Sequence, residues 1–69
     1  MDFGNAITMM KQGIKVTRTS WGNQDEYVYL DGGIFMKNAP AYAHPIPIVF
    51  YSHEVLATDW EVIRVKMHR

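Results

Sequence analysis

The sequence predicts an α+β fold: one short N-terminal helix packed on an antiparallel sheet of four to five strands, assembled as an oligomer. Three observations predict it. The first dozen residues carry apolar side chains near helical spacing, and the rest of the chain is a series of short strand-rich segments divided by Gly and Pro. Nearly half of the residues are apolar and nine are aromatic, which suits a folded domain better than a disordered tail. The chain has only 69 residues and no cysteine, so a single small core must hold without disulfides. A partner subunit is the natural missing source of stability.

The elements follow in order. Asn5 to Gln12 reads as the helix, with Ala6, Ile7, Met9 and Met10 on its apolar side. Asp2 can cap it by accepting from free backbone N–H groups, and Gly13 can stop it in the left-handed conformation. Ile14 to Arg18 reads as a strand with Ile14, Val16 and Arg18 on one face and Lys15 and Thr17 on the other. Thr19-Ser20-Trp21-Gly22-Asn23 breaks the pattern. Tyr27 to Leu30 is rich in strand formers, Asp31-Gly32-Gly33 is a turn, and Ile34 to Lys37 returns at hairpin spacing. Asn38 to Pro47 reads as a loop, because Pro40, Pro45 and Pro47 remove donors and fix φ. Ile48 to Tyr51 is a further strand candidate. Ser52 can cap one helical turn through Ala57, and Trp60 to Lys66 closes the chain as a strand. Residues 1–69 form one domain on this reading.

Composition narrows the function. Seven basic and seven acidic residues give a formal net charge of zero, a poor match to a DNA or RNA polymer but compatible with a small anionic ligand. No apolar run approaches the roughly 18 residues of a membrane span, and Met1-Asp2-Phe3-Gly4 lacks a basic signal-peptide start. The chain therefore reads as cytosolic. His44, His53 and His68 do not have helical metal-ligand spacing, so neither a metal nor a cofactor is expected.

Two tryptophans stand out. Trp21 lies in a polar loop, where it either covers the core or offers a flat face for base stacking, with Ser20 and Asn23 placed to donate to phosphate. Asp59-Trp60 reads two ways. Either Trp60 stacks on a purine while Asp59 accepts from a base N–H or ribose hydroxyl, or Trp60 begins a core strand that Asp59 introduces. Gly32-Gly33 lacks the context of a phosphate loop and reads as a hairpin turn. Asp25 and Glu26 would face opposite sides of a strand. Ser20, His44 and Asp59 form a triad only on paper, without a strained nucleophile turn. No convincing catalytic constellation emerges, so the chain reads as non-enzymatic. Arg64, Lys66, His68 and Arg69 form a basic tail, read as a solvated edge.

Several of these segments resemble a family. Asp2-Phe3-Gly4-Asn5-Ala6, Lys11-Gln12-Gly13-Ile14-Lys15-Val16, Arg18-Thr19-Ser20-Trp21 and Leu56-Ala57-Thr58-Asp59-Trp60-Glu61-Val62 resemble the second type of Thoeris anti-defense proteins, short phage and prophage proteins. Phe35-Met36-Lys37-Asn38-Ala39-Pro40 is similar to an internal segment of that family. Phe50-Tyr51-Ser52-His53 stands where longer members carry a Trp near Ser-Gln. The resemblance implies a protein that sequesters glycocyclic ADP-ribose, the immune signal of the Thoeris system, in the cytoplasm of an infected bacterium without cleaving it. It also implies dimers or tetramers with pockets at subunit interfaces. With that resemblance, Trp21, Asn38, Tyr51, Ser52, Asp59, Trp60 and Arg18 become the expected ligand-binding residues: Trp21 for stacking, Asp59 for ribose or base hydrogen bonds, Arg18 for phosphate. Two alternatives remain open at this point, cyclic oligonucleotides of the CBASS system as ligand and a host protein as partner.

Overall fold

Asp2 fixes the start of the helix. Its Oδ1 accepts from the Asn5 backbone N–H at 2.8 Å, satisfying one donor of the first turn. The helix, α1, spans Phe3–Lys11 and begins two residues earlier than the apolar spacing suggests. Gly13, at φ +84°, then turns the chain into the sheet. The computed structural model describes residues 1–63.

The sheet comprises β1 (Val16–Arg18), β2 (Tyr27–Asp31), β3 (Ile34–Asn38), β4 (Ile46–Pro47) and β5 (Trp60–Val62). All neighbours are antiparallel, in the order β4-β3-β2-β1-β5. The β2–β3 hairpin closes on Gly32 and Gly33 at φ +58° and +84°, both left-handed as a two-residue turn between right-twisted strands requires. A 3-10 turn, Thr19–Trp21, follows β1, and a short helix, α2 (Ser52–Val55), precedes β5.

Register separates the two faces. Val16 lies opposite both Val28 and Val62, and Val28 opposite Lys37. This row and its alternate neighbours Arg18, Trp60, Leu30 and Phe35 face α1. The core is Ala6, Met10, Val16, Val28 and Trp60, each at most 1% exposed. Phe3, Phe50 and Trp21 surround the Trp60 ring at centroid distances of 5.6, 6.0 and 5.7 Å. The opposite face carries Lys15, Tyr27 and Tyr29, with the Lys15 ammonium 4.9 Å from the Tyr27 ring.

The structure corrects four sequence expectations. Residues 46–47 pair with β3 although the Asn38–Pro47 stretch read as loop, and β3 itself runs to Asn38. Pro47 is tolerated because β4 is an edge strand, where a missing N–H breaks no ladder. Ile48–Tyr51 is not a strand. The Ile48 N–H still donates to Phe35 O at 3.0 Å, then the chain leaves the sheet and Phe50 packs edge-on against Phe3 and Phe35. Ser52 is the first residue of α2, not its cap. Tyr51 holds the cap position, and its N–H donates to Glu54 Oε1 at 2.8 Å. Finally, β1 is shorter than Ile14–Arg18 and spans three residues. The closing strand reaches Val62; the rest of its expected span to Lys66, like the basic tail, includes residues outside those described. Among the described residues no helix is long and apolar enough to cross a membrane.

Candidate functional site

The site grows from the end of β1. Arg18 is in phase with core Val16, so its side chain emerges on the covered face beside Trp60, its register partner on β5. The Arg18 Nε–H donates to Asp59 Oδ1 at 2.8 Å, with the two side chains 15% and 30% exposed. The Ser20 backbone N–H donates to the other carboxylate oxygen, Asp59 Oδ2, at 3.0 Å. The Thr19 N–H donates to the Asp59 carbonyl at 3.0 Å. Asp59 thereby ties the 3-10 turn to the start of β5 through both its carboxylate and its backbone.

This pairing sets the charge of the site. The Arg18 hydrogen bond, reinforced by the Ser20 donors and the Arg18 charge, outweighs partial desolvation and lowers the Asp59 pKa from 3.8 to about 2. At neutral pH Asp59 is an ionised acceptor. Arg18 uses only Nε in this pair, and among the described residues its terminal Nη groups have no partner. Its guanidinium carbon lies 5.9 Å from the Trp60 ring centroid.

The 3-10 turn ends at Gly22 in the left-handed conformation, φ +80°, which returns Trp21 over the sheet. The Trp21 ring meets Trp60 edge-on at 80° and is half-buried. The Lys37 ammonium lies over the Trp21 ring, 4.3 Å from its centroid, and pairs with Glu26 Oε2 at 3.0 Å. Two indoles, two cations and two carboxylates thus occupy one corner of the fold. A shallow hollow of about 230 Å³ is lined by Arg18, Thr17, Thr19, Asn23, Gln24 and Glu61 but by neither Trp21 nor Asp59. An open groove of about 330 Å³ lies on the α2 side, lined by Lys37, Tyr42, Ile46, Val49, Tyr51 and Glu54 among others. Lys37 thus both caps Trp21 and lines this groove.

The expected ligand residues divide into three groups. Arg18, Trp21 and Asp59 come together. Tyr51 and Ser52 lie at the start of α2, both exposed, with the Tyr51 ring stacked on His53 at 5.9 Å. Asn38 is opposite Tyr27 on the far face of the sheet, where its Nδ2 reaches Asp25 O at 3.4 Å. Trp60 belongs to the core. It is 1% exposed, and its indole N–H donates to Glu54 O at 2.9 Å, so within this chain its ring offers no face to a ligand. The core-strand reading of Asp59-Trp60 therefore describes Trp60, while Asp59 remains at the surface.

Sequence reasoning missed Lys37 and Glu26. Lys37 did leave a signal, because it shares the inward phase of β3 with Phe35 just as Arg18 shares that of β1 with Val16. A cation in an apolar phase must reach a carboxylate or an aromatic face, and Lys37 reaches both. Its partners Glu26 and Trp21 lie in other elements, so their identity was not legible. Among the described residues no group of three or more His, Cys, Asp or Glu could hold a metal.

Comparison with curated proteins and with solved structures returns no match. The model of the Thoeris anti-defense 2-like domain (Tad2-like) matches residues 1–63, spanning α1, the whole sheet and the Arg18–Asp59 corner. The chain belongs to the Thoeris anti-defense 2-like family, and that membership supports a general role in phage evasion of Thoeris immunity.

Proposed function

We propose that this protein is a non-enzymatic sponge that binds glycocyclic ADP-ribose in the infected cell and withholds it from the Thoeris effector. The observation that carries the reading is the corner itself: a half-buried indole, a guanidinium whose terminal donors have no partner among the described residues and an ionised carboxylate, close together. A cyclic ADP-ribose-type ligand presents a flat base, hydroxyl-bearing ribose and a negative phosphate chain. Trp21 can stack, Asp59 can accept, and the Arg18 Nη groups can donate to phosphate. The Arg18 and Ser20 hydrogen bonds hold Asp59 ionised at neutral pH, so it meets a base N–H or ribose hydroxyl as an acceptor.

Sequestration calls for nanomolar affinity, about −12 kcal/mol. A ligand of this size is ordinarily enclosed over roughly 70–90% of its surface in a cleft of about 300–1,000 Å³. The open hollow and groove here, about 230 and 330 Å³, fall below that range or at its lower end. We infer that a second copy of the chain completes the pocket. Val49, Tyr51, Val55 and Leu56 support this, since together they expose apolar surface around α2, next to the groove.

Isothermal titration with glycocyclic ADP-ribose tests the proposal, followed by heat release and chromatography of the ligand. Tight, stoichiometric binding with intact ligand recovered supports it. Absence of heat at micromolar protein, or recovery of a hydrolysed product, removes it.

A further inference from the structure

On the binding reading the Trp21 ring is the stacking surface, yet in this structure a charge already stands on it. The Lys37 ammonium lies 4.3 Å from the ring centroid and 3.0 Å from Glu26 Oε2. A base stacked on that face at van der Waals separation needs the space that the ammonium occupies. We propose that Lys37 is a ligand-binding residue that exchanges partners: its ammonium caps Trp21 in the free protein and moves to a phosphate of the bound nucleotide when a base takes its place. The inference rests on the binding reading above and adds two residues, Lys37 and Glu26, to it.

Three features support the exchange. The ammonium is on a flexible four-carbon stem, so it can move several ångströms while β3 stays fixed. The contacts it leaves keep some access to solvent, an ammonium–indole contact and an ion pair whose side chains are 16% and 25% exposed, and the phosphate offsets the cost of breaking them. The stem also lines the groove beside Tyr51, so the displaced ammonium swings along surface that it already borders. Until a ligand arrives, Lys37 shields the indole and Glu26 neutralises the cation. Once the base has stacked, the same cation stands beside the phosphates, as Arg18, which borders Trp60, also can.

The exchange has a direct readout in the unmodified protein. Ring currents of Trp21 shift the Lys37 Hε protons upfield in the free protein, and Trp21→Ala identifies that shift. Carbon–proton correlation spectra are recorded with and without saturating glycocyclic ADP-ribose, alongside titration calorimetry. We expect the Hε resonances to return toward those of a free lysine on saturation. Lys37→Met keeps the stem and removes the charge; we expect about tenfold weaker binding with a flatter salt dependence. Glu26→Gln releases the ammonium, and we expect about threefold tighter binding. Calorimetric binding with unmoved Lys37 resonances, or with unchanged affinity in Lys37→Met, overturns the exchange and leaves the binding reading standing. Absence of calorimetric binding overturns both.

Discussion

Replacing Trp60 by Phe separates a core role from a ligand role for the two indoles. Trp60 is 1% exposed, so its loss is felt in packing. The substitution deletes the indole N–H that donates to Glu54 O at 2.9 Å. That carbonyl keeps a second donor, the Ala57 N–H at 3.3 Å, so the lost hydrogen bond costs about 1 kcal/mol, the low end for a buried group. The missing part of the ring removes apolar contact against Phe3 and Phe50 and leaves a void, costing about 1–2 kcal/mol more. The total is about 2–3 kcal/mol, a large share of the roughly 3–10 kcal/mol available to a domain of this size. In a domain this small each kcal/mol shifts Tm by about 4–8 °C, so the melting point should fall by roughly 8–24 °C. Circular dichroism melts at one fixed protein concentration read this out, with Trp21→Phe as control. Trp21 is half-buried and makes no side-chain hydrogen bond among the described residues, so Phe there should cost under about 1 kcal/mol. A fall of less than about 4 °C in Trp60→Phe, or a larger fall in Trp21→Phe, would refute the assignment of Trp60 to the core and Trp21 to the site.

Other predictions concern the corner and the hairpin. Trp21→Ala should weaken glycocyclic ADP-ribose binding by roughly 5- to 150-fold, one stacked base, as read by calorimetry. Asp59→Asn bears on acid stability. Because the Asp59 pKa is lowered in the folded state, its ionised form stabilises the fold above pH 3.8, and that contribution is lost as pH falls toward about 2. The gap in Tm between wild type and Asp59→Asn should therefore be constant at higher pH and narrow between pH 3.8 and about 2. A gap that widens on acidification contradicts the Arg18–Asp59 assignment. Gly33→Ala places a Cβ at φ +84° and should cost about 1 kcal/mol in denaturant unfolding, with no effect on ligand binding.

What could be read from the sequence depended on how local each cause was. The Asp2 cap, the Gly13 stop and the Gly32-Gly33 turn each act within a few residues, and all three occur in the structure. The misread segments answered to distant partners. Ile48–Tyr51 is an apolar run indistinguishable from a strand, but Phe50 is drawn out of the sheet by Phe3 and Phe35, from α1 and β3. Pro47 looks like a strand breaker until β4 is known to be the edge. The site divided the same way. The Arg18-to-Trp21 run and Asp59 were visible as motifs, but their junction needs β1 and β5 to pair, an adjacency that the long stretch between them does not announce.

That junction also explains how the proposed binding site fits so small a core. The corner has two indoles with different duties. Trp60 seals the core, and its opposite residue on β1, Arg18, would carry an uncompensated charge into that packing if Asp59 were not next in line before β5. Asp59 neutralises the guanidinium through Nε alone, which stabilises the fold without consuming the outer donors. Beside Trp21, Glu26 does the same for Lys37. Each cation is therefore held by one carboxylate in the free protein and keeps donors available for a phosphate. A structural ion pair that used every donor would stabilise the corner and leave it inert. Arg18→Lys tests this division: Lys has no separate Nε–H to hold Asp59 while a planar fork remains outside, so the variant should keep its fold and lose phosphate-dependent affinity. If Arg18→Lys bound the nucleotide as tightly as wild type, the outer guanidinium donors would have no part in recognition.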